Sequence, residues 1–508
     1  MKKTLRFLSC LMVIMLLVPI GIAQEEKNIQ DILPEGEKPV LRQLNINIAQ
    51  DYNTYPVAGV IEEYTDYKVE YDMLPADNAK DKLNMIIASE EPYDIIVYSG
   101  DINAVMTYAK AGALMDLNPW LDYAPNLKAA INDYERSIFT IGDSLYAIGM
   151  QAPAFGGAGG AVNETVFFRQ DYLDALSVQM PKTTDELTEV LRALKGFKNP
   201  NGGETIPLTM TGKQVAFSTI TGAFGIPNAW NLAEDGTLIN RMADPRMKDY
   251  LAYMKGLYQE GLLDVEFPAN QSSNVYEKFS TGAAGSAYLS VYGYETFGNS
   301  MVELQPNAKI GYMPPLSGPN GDIGLGATVG GMDRIAFIPA SCKNIEFVLD
   351  FLNKKLTDEA FIDLTIGKEG VHFTVDENGE RWPIHPIFMD ERGQAVNYFT
   401  GRPSVQYAEY WTLRVKKRAD VWEGWSTINQ SPEFTEHRVV SEVGYAPPFD
   451  SGSYSAALNE MFINQCVKII AGTLEVDSYD AFTKEWLSAG GQELIDDYTA
   501  WWAEYSAK

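Results

Sequence analysis

Tyr98-Ser99-Gly100-Asp101 follows an apolar run, YDIIVY at 93–98, that reads as a buried strand. These residues therefore stand at that strand's C-terminal end. Tyr98 and Ser99 are candidates for ligand contact, Tyr98 as a flat platform, and Asp101 is a candidate hydroxyl acceptor. Asp101 reads equally well as the cap of the next helix. Phe155 lies in a nearly side-chain-free run, APAFGGAGGA at 152–161, with nothing large nearby to pack on. Trp230, in Asn228-Ala229-Trp230, sits in a Gly/Pro-bounded loop and is the main platform candidate. Tyr288 and Tyr292 stand at i, i+4, a spacing that also fits one buried helix face. Trp422 and Trp425, in VWEGW, stand at helical i, i+3 spacing, and Trp501-Trp502 read as packing.

Signatures of reaction chemistry are sparse. The three histidines, His372, His385 and His437, show neither HxxxH nor HExxH spacing, so a zinc site or a histidine triad has little support. There is no GxSxG elbow, and Gly157–Gly160 lacks both the Lys-Ser/Thr of a phosphate loop and the GxGxxG pattern. No cofactor is called for. The 508 residues carry a formal charge of −28, which disfavours nucleic acid as a partner.

The first 23 residues read as an export signal. Lys2, Lys3 and Arg6 precede an apolar run, Phe7 to Ala23, that ends in Gly21-Ile22-Ala23 before Gln24. A membrane-spanning helix needs about 20 apolar residues. Cleavage after Ala23 removes three basic residues and no acidic one, so −28 becomes −31. Cys10 falls inside the signal, leaving Cys342 and Cys466, either paired or as separate buried thiols.

Residues 24–40, polar and proline-containing, read as a linker. Beyond them strands at 41–49, 67–73 and 93–98 alternate with helices at 56–64, 78–89 and 106–112. That alternation predicts a mostly parallel sheet with helices on its faces. A strand restarts at 166–169. Helical patterns cover 184–196, 244–260 and 344–356, and the C-terminal quarter is rich in helix formers and aromatics.

Several segments together resemble the bacterial extracellular solute-binding proteins of family 1, in their lipoprotein-like, oligosaccharide-binding branch. They are KLNMIIASEEPYDIIVY at 82–98, AGALMDL at 111–117, VFFRQDYLDALSVQMPKTTD at 166–185, FSTGAAGSA at 279–287, EGVHFTVDENGE at 369–380 and YDAFTKEWLSAGGQELIDDYTAWW at 479–502. The resemblance implies a periplasmic-binding-protein-like fold of two α/β lobes with a hinge and an interlobe ligand cleft. It places lobe one at 41–150 plus 335–385 and lobe two at 151–334 plus 386–508. It implies a non-enzymatic, monomeric protein that captures a small solute, most often an oligosaccharide. The partner would be the permease of an ABC transporter. Sugars present apolar ring faces and hydroxyl edges, which suit the aromatics and acceptors above.

Two features depart from the branch. Gln24 stands where a lipidated cysteine would follow the signal. The loop Asn199-Pro200-Asn201-Gly202-Gly203-Glu204-Thr205 has one carboxylate where relatives have a calcium loop, so a plain turn is expected. Two rival readings stay open. One is a secreted polysaccharide hydrolase with paired carboxylates. The other is a ligand-binding sensor for a membrane kinase.

Overall fold

The computed structural model describes residues 27–507 apart from 100, 152–159, 234, 329–330, 400, 402–403, 442 and 444–451. The export signal and Phe155 lie outside the described residues. In chain order the strands are β1 (Leu41–Asn45), β2 (Val69–Met73), β3 (Ile95–Ser99), β4 (Thr140–Ile141), β5 (Ser144–Leu145), β6 (Ile148–Gln151), β7 (Glu164–Arg169), β8 (Trp230–Leu232), β9 (Leu238–Asn240), β10 (Ser286–Ser290), β11 (Ile310–Tyr312), β12 (Leu325–Thr328), β13 (Met332–Phe337), β14 (Phe373–Val375), β15 (Arg381–Pro383) and β16 (Arg438–Ser441).

The larger sheet has the order β2-β1-β3-β13-β6. β1 is parallel to β2 and β3, and helices Pro56–Thr65 and Ala79–Ala88 make the connections. Ile95 to Tyr98 of β3 are all buried, as expected of a strand covered on both faces. β13 returns from far along the chain and pairs antiparallel with β3 and β6. The alternating sequence pattern thus identified the parallel half of the sheet, and β13 adds an antiparallel half.

The second sheet is antiparallel, β10-β7-β11. Side chains alternate across a strand, and here the alternation divides two cores. Val166 and Phe168 of β7 and Tyr288 of β10 join one cluster, with Leu187, Leu191 and Leu194 of helix Thr184–Lys195. Phe167, Ala287 and Leu289 face the other way, into a cluster with Tyr294, Phe297 and Trp425. Thr183 opens the Thr184–Lys195 helix, its hydroxyl accepting from the Glu186 N–H at 3.1 Å.

A separate core belongs to the larger sheet and draws on residues from Ile29 to Met150 and from Ile335 to Leu413. It revises two expectations. Ile29, in the presumed linker, is buried there, and Gln30 Nε2 donates to Asp350. Phe388, Tyr398, Tyr407, Tyr410 and Leu413, expected in lobe two, pack in this first core instead. The reason is helix Ser404–Val415, which bridges the cores. Tyr407 and Tyr410 sit in the first, Val415 in another, and Trp411 touches both. The chain also passes between cores after β6 and between β12 and β13.

Cys342 and Cys466 are free buried thiols in different cores. Among the described residues no helix is long and apolar enough to cross a membrane.

Candidate functional site

β7 begins beside the end of β10, and their register places Ser290 opposite Glu164. A cavity of about 340 Å³ opens there, lined by Asn163, Glu164, Ser218, Tyr288, Ser290 and Tyr292 together with backbone of β12. Tyr288 pairs with Val166, two residues from Glu164 and on the same face. Its hydroxyl therefore reaches the Glu164 carboxylate at 3.0 Å. Burial, then the Glu164 charge, holds the Tyr288 hydroxyl well above its usual pKa, so it stays a donor. Tyr292 follows in a 3-10 turn, and Trp411 Nε1 donates to its hydroxyl at 2.9 Å. Burial pushes Tyr292 up to about 12. Asn429 holds the approach to β7 through both backbone groups of Val162, at 2.9 and 2.8 Å. The Asn163 side-chain oxygen is buried without a partner.

Tyr288 and Tyr292 do line one cavity, but not as a helix face. Tyr288 is on a strand and Tyr292 is beyond its end. A spacing of four across a strand end mimics a helical repeat.

A second cavity, about 390 Å³, lies between the β8–β9 hairpin and helices Gly452–Ile470 and Gln492–Tyr505. Trp230, Asn240, Arg241, Asn459, Leu494 and Tyr498 are in its wall. Phe217 and the Ala216 backbone bridge a residue of each cavity. The Tyr288 ring stacks on Phe217 at 4.2 Å, and the neighbouring Ala216 carbonyl accepts from Arg241 Nη1 at 3.2 Å.

Trp230 differs from the open platform expected of a loop residue. It begins β8, is 9% exposed, and stacks on Tyr498 at 4.2 Å. The turn signal Gly225-Ile226-Pro227 belongs to the segment before the strand. Gly326 of β12 lets that segment approach, since a Cβ there would meet the Pro227 carbonyl at 2.1 Å. Trp230 is thus both a core residue and a cavity wall.

Lobe one presents the C-terminal ends of β1 and β3. Ser99 is exposed and pairs with Arg334 of β13. Arg334 Nη2 donates to Asn397 at 2.7 Å, and Arg334 also pairs with Asp333, which accepts from the Tyr407 hydroxyl at 2.9 Å. Gln43 Oε1 and Asn45 Nδ2 on β1 are buried without partners. Tyr98 is 6% exposed in the first core, so it offers no open ring face. Asp101 caps helix Ile102–Lys110, accepting from the Ala104 N–H at 3.0 Å, and its other oxygen faces Lys80. Capping accounts for that residue.

Trp422 and Trp425 do not line either cavity. Trp425 is 1% exposed in the core beneath β7. Trp422 stacks on it and meets Trp382 of β15 edge-on. Lys416 Nζ lies over both Trp382 and Trp422, at 4.1 and 4.7 Å, and donates to the Arg381 carbonyl at 2.9 Å. This cluster fastens the β14–β15 hairpin to helix Ala419–Gln430.

A third cavity of about 540 Å³, lined by Asn84, Ile87, Glu91, Tyr108 and Pro339, is larger. It lies where β3 begins and β13 ends, hence at the N-terminal ends of the parallel strands. Open α/β sheets bind ligands at the other end, which favours the lobe-two cavities.

Sequence reading missed Glu135 and Arg241. Glu135 is fully buried with both carboxyl oxygens unpartnered, against Gly149 of β6 and Met332 of β13, beside two of the crossings. Burial pushes its pKa up to about 8. In the 199–205 loop, Asn199 Oδ1 accepts from the N–H groups of Asn201 and Gly203 at 3.0 and 3.2 Å, while the Glu204 side chain is 85% exposed. The loop is an Asn-closed turn. Among the described residues no group of three His, Cys, Asp or Glu is placed to hold a metal ion.

Comparison with known proteins places this architecture. Over 468 residues, 87% of this chain and 88% of the relative, it is 25% identical to lipoprotein LipO of Bacillus subtilis. It is 24% identical over 461 residues, 86% of each chain, to the polygalacturonan/rhamnogalacturonan-binding protein YtcQ of the same organism. The solved structure of the Streptococcus pneumoniae ABC-transporter substrate-binding protein FusA with kestose shares the fold. Its TM-score is 0.66 at 19% identity, over 92% of this chain and 100% of that one. Residues 50–360 match the bacterial extracellular solute-binding proteins, and with two lobes joined by repeated crossings the chain belongs to that family.

Proposed function

We propose that this protein captures an oligosaccharide between its lobes, on the face of lobe two formed by the two cavities, and delivers it to the permease of an ABC transporter. The observation that carries the reading is the pair of lobe-two cavities, one lined by Glu164, Tyr288 and Tyr292 and the other by Trp230, Arg241 and Tyr498. Each combines aromatic side chains with hydroxyl, carboxylate, amide or guanidinium groups, the residue types that suit sugar rings and their hydroxyls. The names of YtcQ and of the FusA complex with kestose support a saccharide. Closure would bring the β1 and β3 ends of lobe one over these cavities. The protein is exported through residues 1–23 and acts as a monomer outside the membrane.

The solute leaves chemically unchanged. Hydrolysis of a glycosidic bond needs two carboxylates across the sugar, about 5–10 Å apart. Among the described residues lining the two cavities, Glu164 is the only carboxylate, and it is engaged by Tyr288.

Thermal unfolding of the purified protein across a panel of neutral and acidic oligosaccharides tests this. A ligand that binds only the folded state at 100 times its Kd stabilises by about 2.7 kcal/mol, a rise of several degrees in Tm. At least one oligosaccharide should produce that rise and be recovered uncleaved. A flat panel at millimolar sugar, or cleavage products, would overturn the proposal.

A further inference from the structure

Among the described residues, three arginines share one local arrangement that Arg241 lacks. Arg169, Arg246 and Arg418 each present the Nε/Nη2 edge of the guanidinium to a carboxylate two residues away, Asp171, Asp244 and Asp420. Arg241 has no such neighbour. Its Nη1 donates to the Ala216 carbonyl, while its Nε is buried with no partner. Burial lowers its pKa, the largest opposing influences are Tyr250, Cys466, Tyr288 and Tyr479, and the Phe462 ring lies 6.0 Å from the guanidinium carbon. Burying a cation without a counter-charge is costly unless something supplies the missing anion.

The second cavity lies against Arg241. Its wall also carries the Trp230–Tyr498 ring stack and the amides of Asn240 and Asn459. A planar Nε/Nη2 fork matches a carboxylate in bidentate fashion. Aromatic and amide groups beside it suit the ring and hydroxyls to which that carboxylate would be attached. We propose that the cavity at Arg241 is a subsite for an acidic sugar, and that the protein's solute is a uronic-acid-containing oligosaccharide whose carboxylate pairs with Arg241. This rests on the saccharide-binding reading above and narrows it. The chain's overall negative charge opposes an acidic ligand at long range, so recognition falls to this local, desolvated cation.

The test uses trigalacturonate and trimannuronate, each beside its methyl ester, titrated calorimetrically into the wild-type protein and Arg241→Gln. The ester keeps rings and hydroxyls and removes only the charge. Wild type should bind at least one acid about tenfold or more tighter than its ester, the scale of one charge-assisted hydrogen bond or better. In Arg241→Gln, whose Tm should be unchanged or higher, that ratio should fall to within about twofold. An ester bound as tightly as its acid in wild type overturns the inference even if the variant fails to fold. So does a preference that survives in Arg241→Gln. Neutral oligosaccharides binding while both acids fail overturns this inference alone. No saccharide binding at all overturns the saccharide reading and this inference together.

Discussion

Glu135→Gln should flatten the pH dependence of stability. The Glu135 carboxyl is fully buried and unpartnered, and its pKa is raised from 4.5 to about 8 in the folded protein. Between those two values the unfolded chain gives up the proton and the folded one keeps it. The unfolded state binds fewer protons in that window, so stability falls as pH rises, by up to about 1.4 kcal/mol per unit. Above about pH 8 the folded carboxyl ionises too and the loss levels off. The nearby Asn132 backbone N–H and then the Arg136 charge only partly offset the desolvation. Glutamine keeps the shape and cannot ionise. In urea unfolding at a series of pH values, the stability of Glu135→Gln relative to wild type should rise by about 3 kcal/mol or more from pH 4.5 to 8. Parallel curves for the two proteins would show that Glu135 is ionised in the fold. The carboxyl rests against Gly149 of β6 and Met332 of β13.

Trp230→Ala should cost about 3–5 kcal/mol of folding stability, the range for a buried tryptophan truncated to alanine. The ring is 9% exposed, stacks on Tyr498 and packs in the core of lobe two. Trp230→Phe keeps a stacking ring and should cost markedly less. Denaturant unfolding of both variants measures this. A loss under about 1 kcal/mol for the alanine variant would mean that the ring is a surface platform and not a core residue. Saccharide affinity should fall in both variants, because the same ring walls the second cavity.

The sequence carried the fold further than it carried the site. Strands β1, β2, β3 and β7 were legible because each is a short apolar or alternating run between helices, and local pattern determines such elements. What local pattern could not supply was partnership. β13 looks like any other strand, yet its antiparallel place between β3 and β6 is set by a return crossing. Tyr407 and Tyr410 lie on a helix whose apolar face is readable, but which core receives that face depends on where the helix crosses.

The same limit governed the site. Tyr288 was found by type, although its role follows from strand parity with Glu164. Trp425 and Tyr98 were found by type and proved to be core, because a ring that binds and a ring that packs look alike in sequence. Arg241 left no usable signal. Arg169, Arg246 and Arg418 each have an aspartate two residues away and Arg241 does not, but Arg42, Arg192 and Arg334 also lack one. Glu135 left none either, since an acidic residue in the first turn of a helix ordinarily reads as favourable helix-end electrostatics.

Capture of a saccharide on this face of lobe two is tested most directly by crystals of the protein grown with the oligosaccharide that most raises its Tm. Sugar density should lie between the lobes, against Tyr288 and Tyr292 and reaching the cavity of Trp230 and Arg241. Density confined to the cavity by Tyr108 and Pro339, with the lobe-two cavities empty, would contradict it.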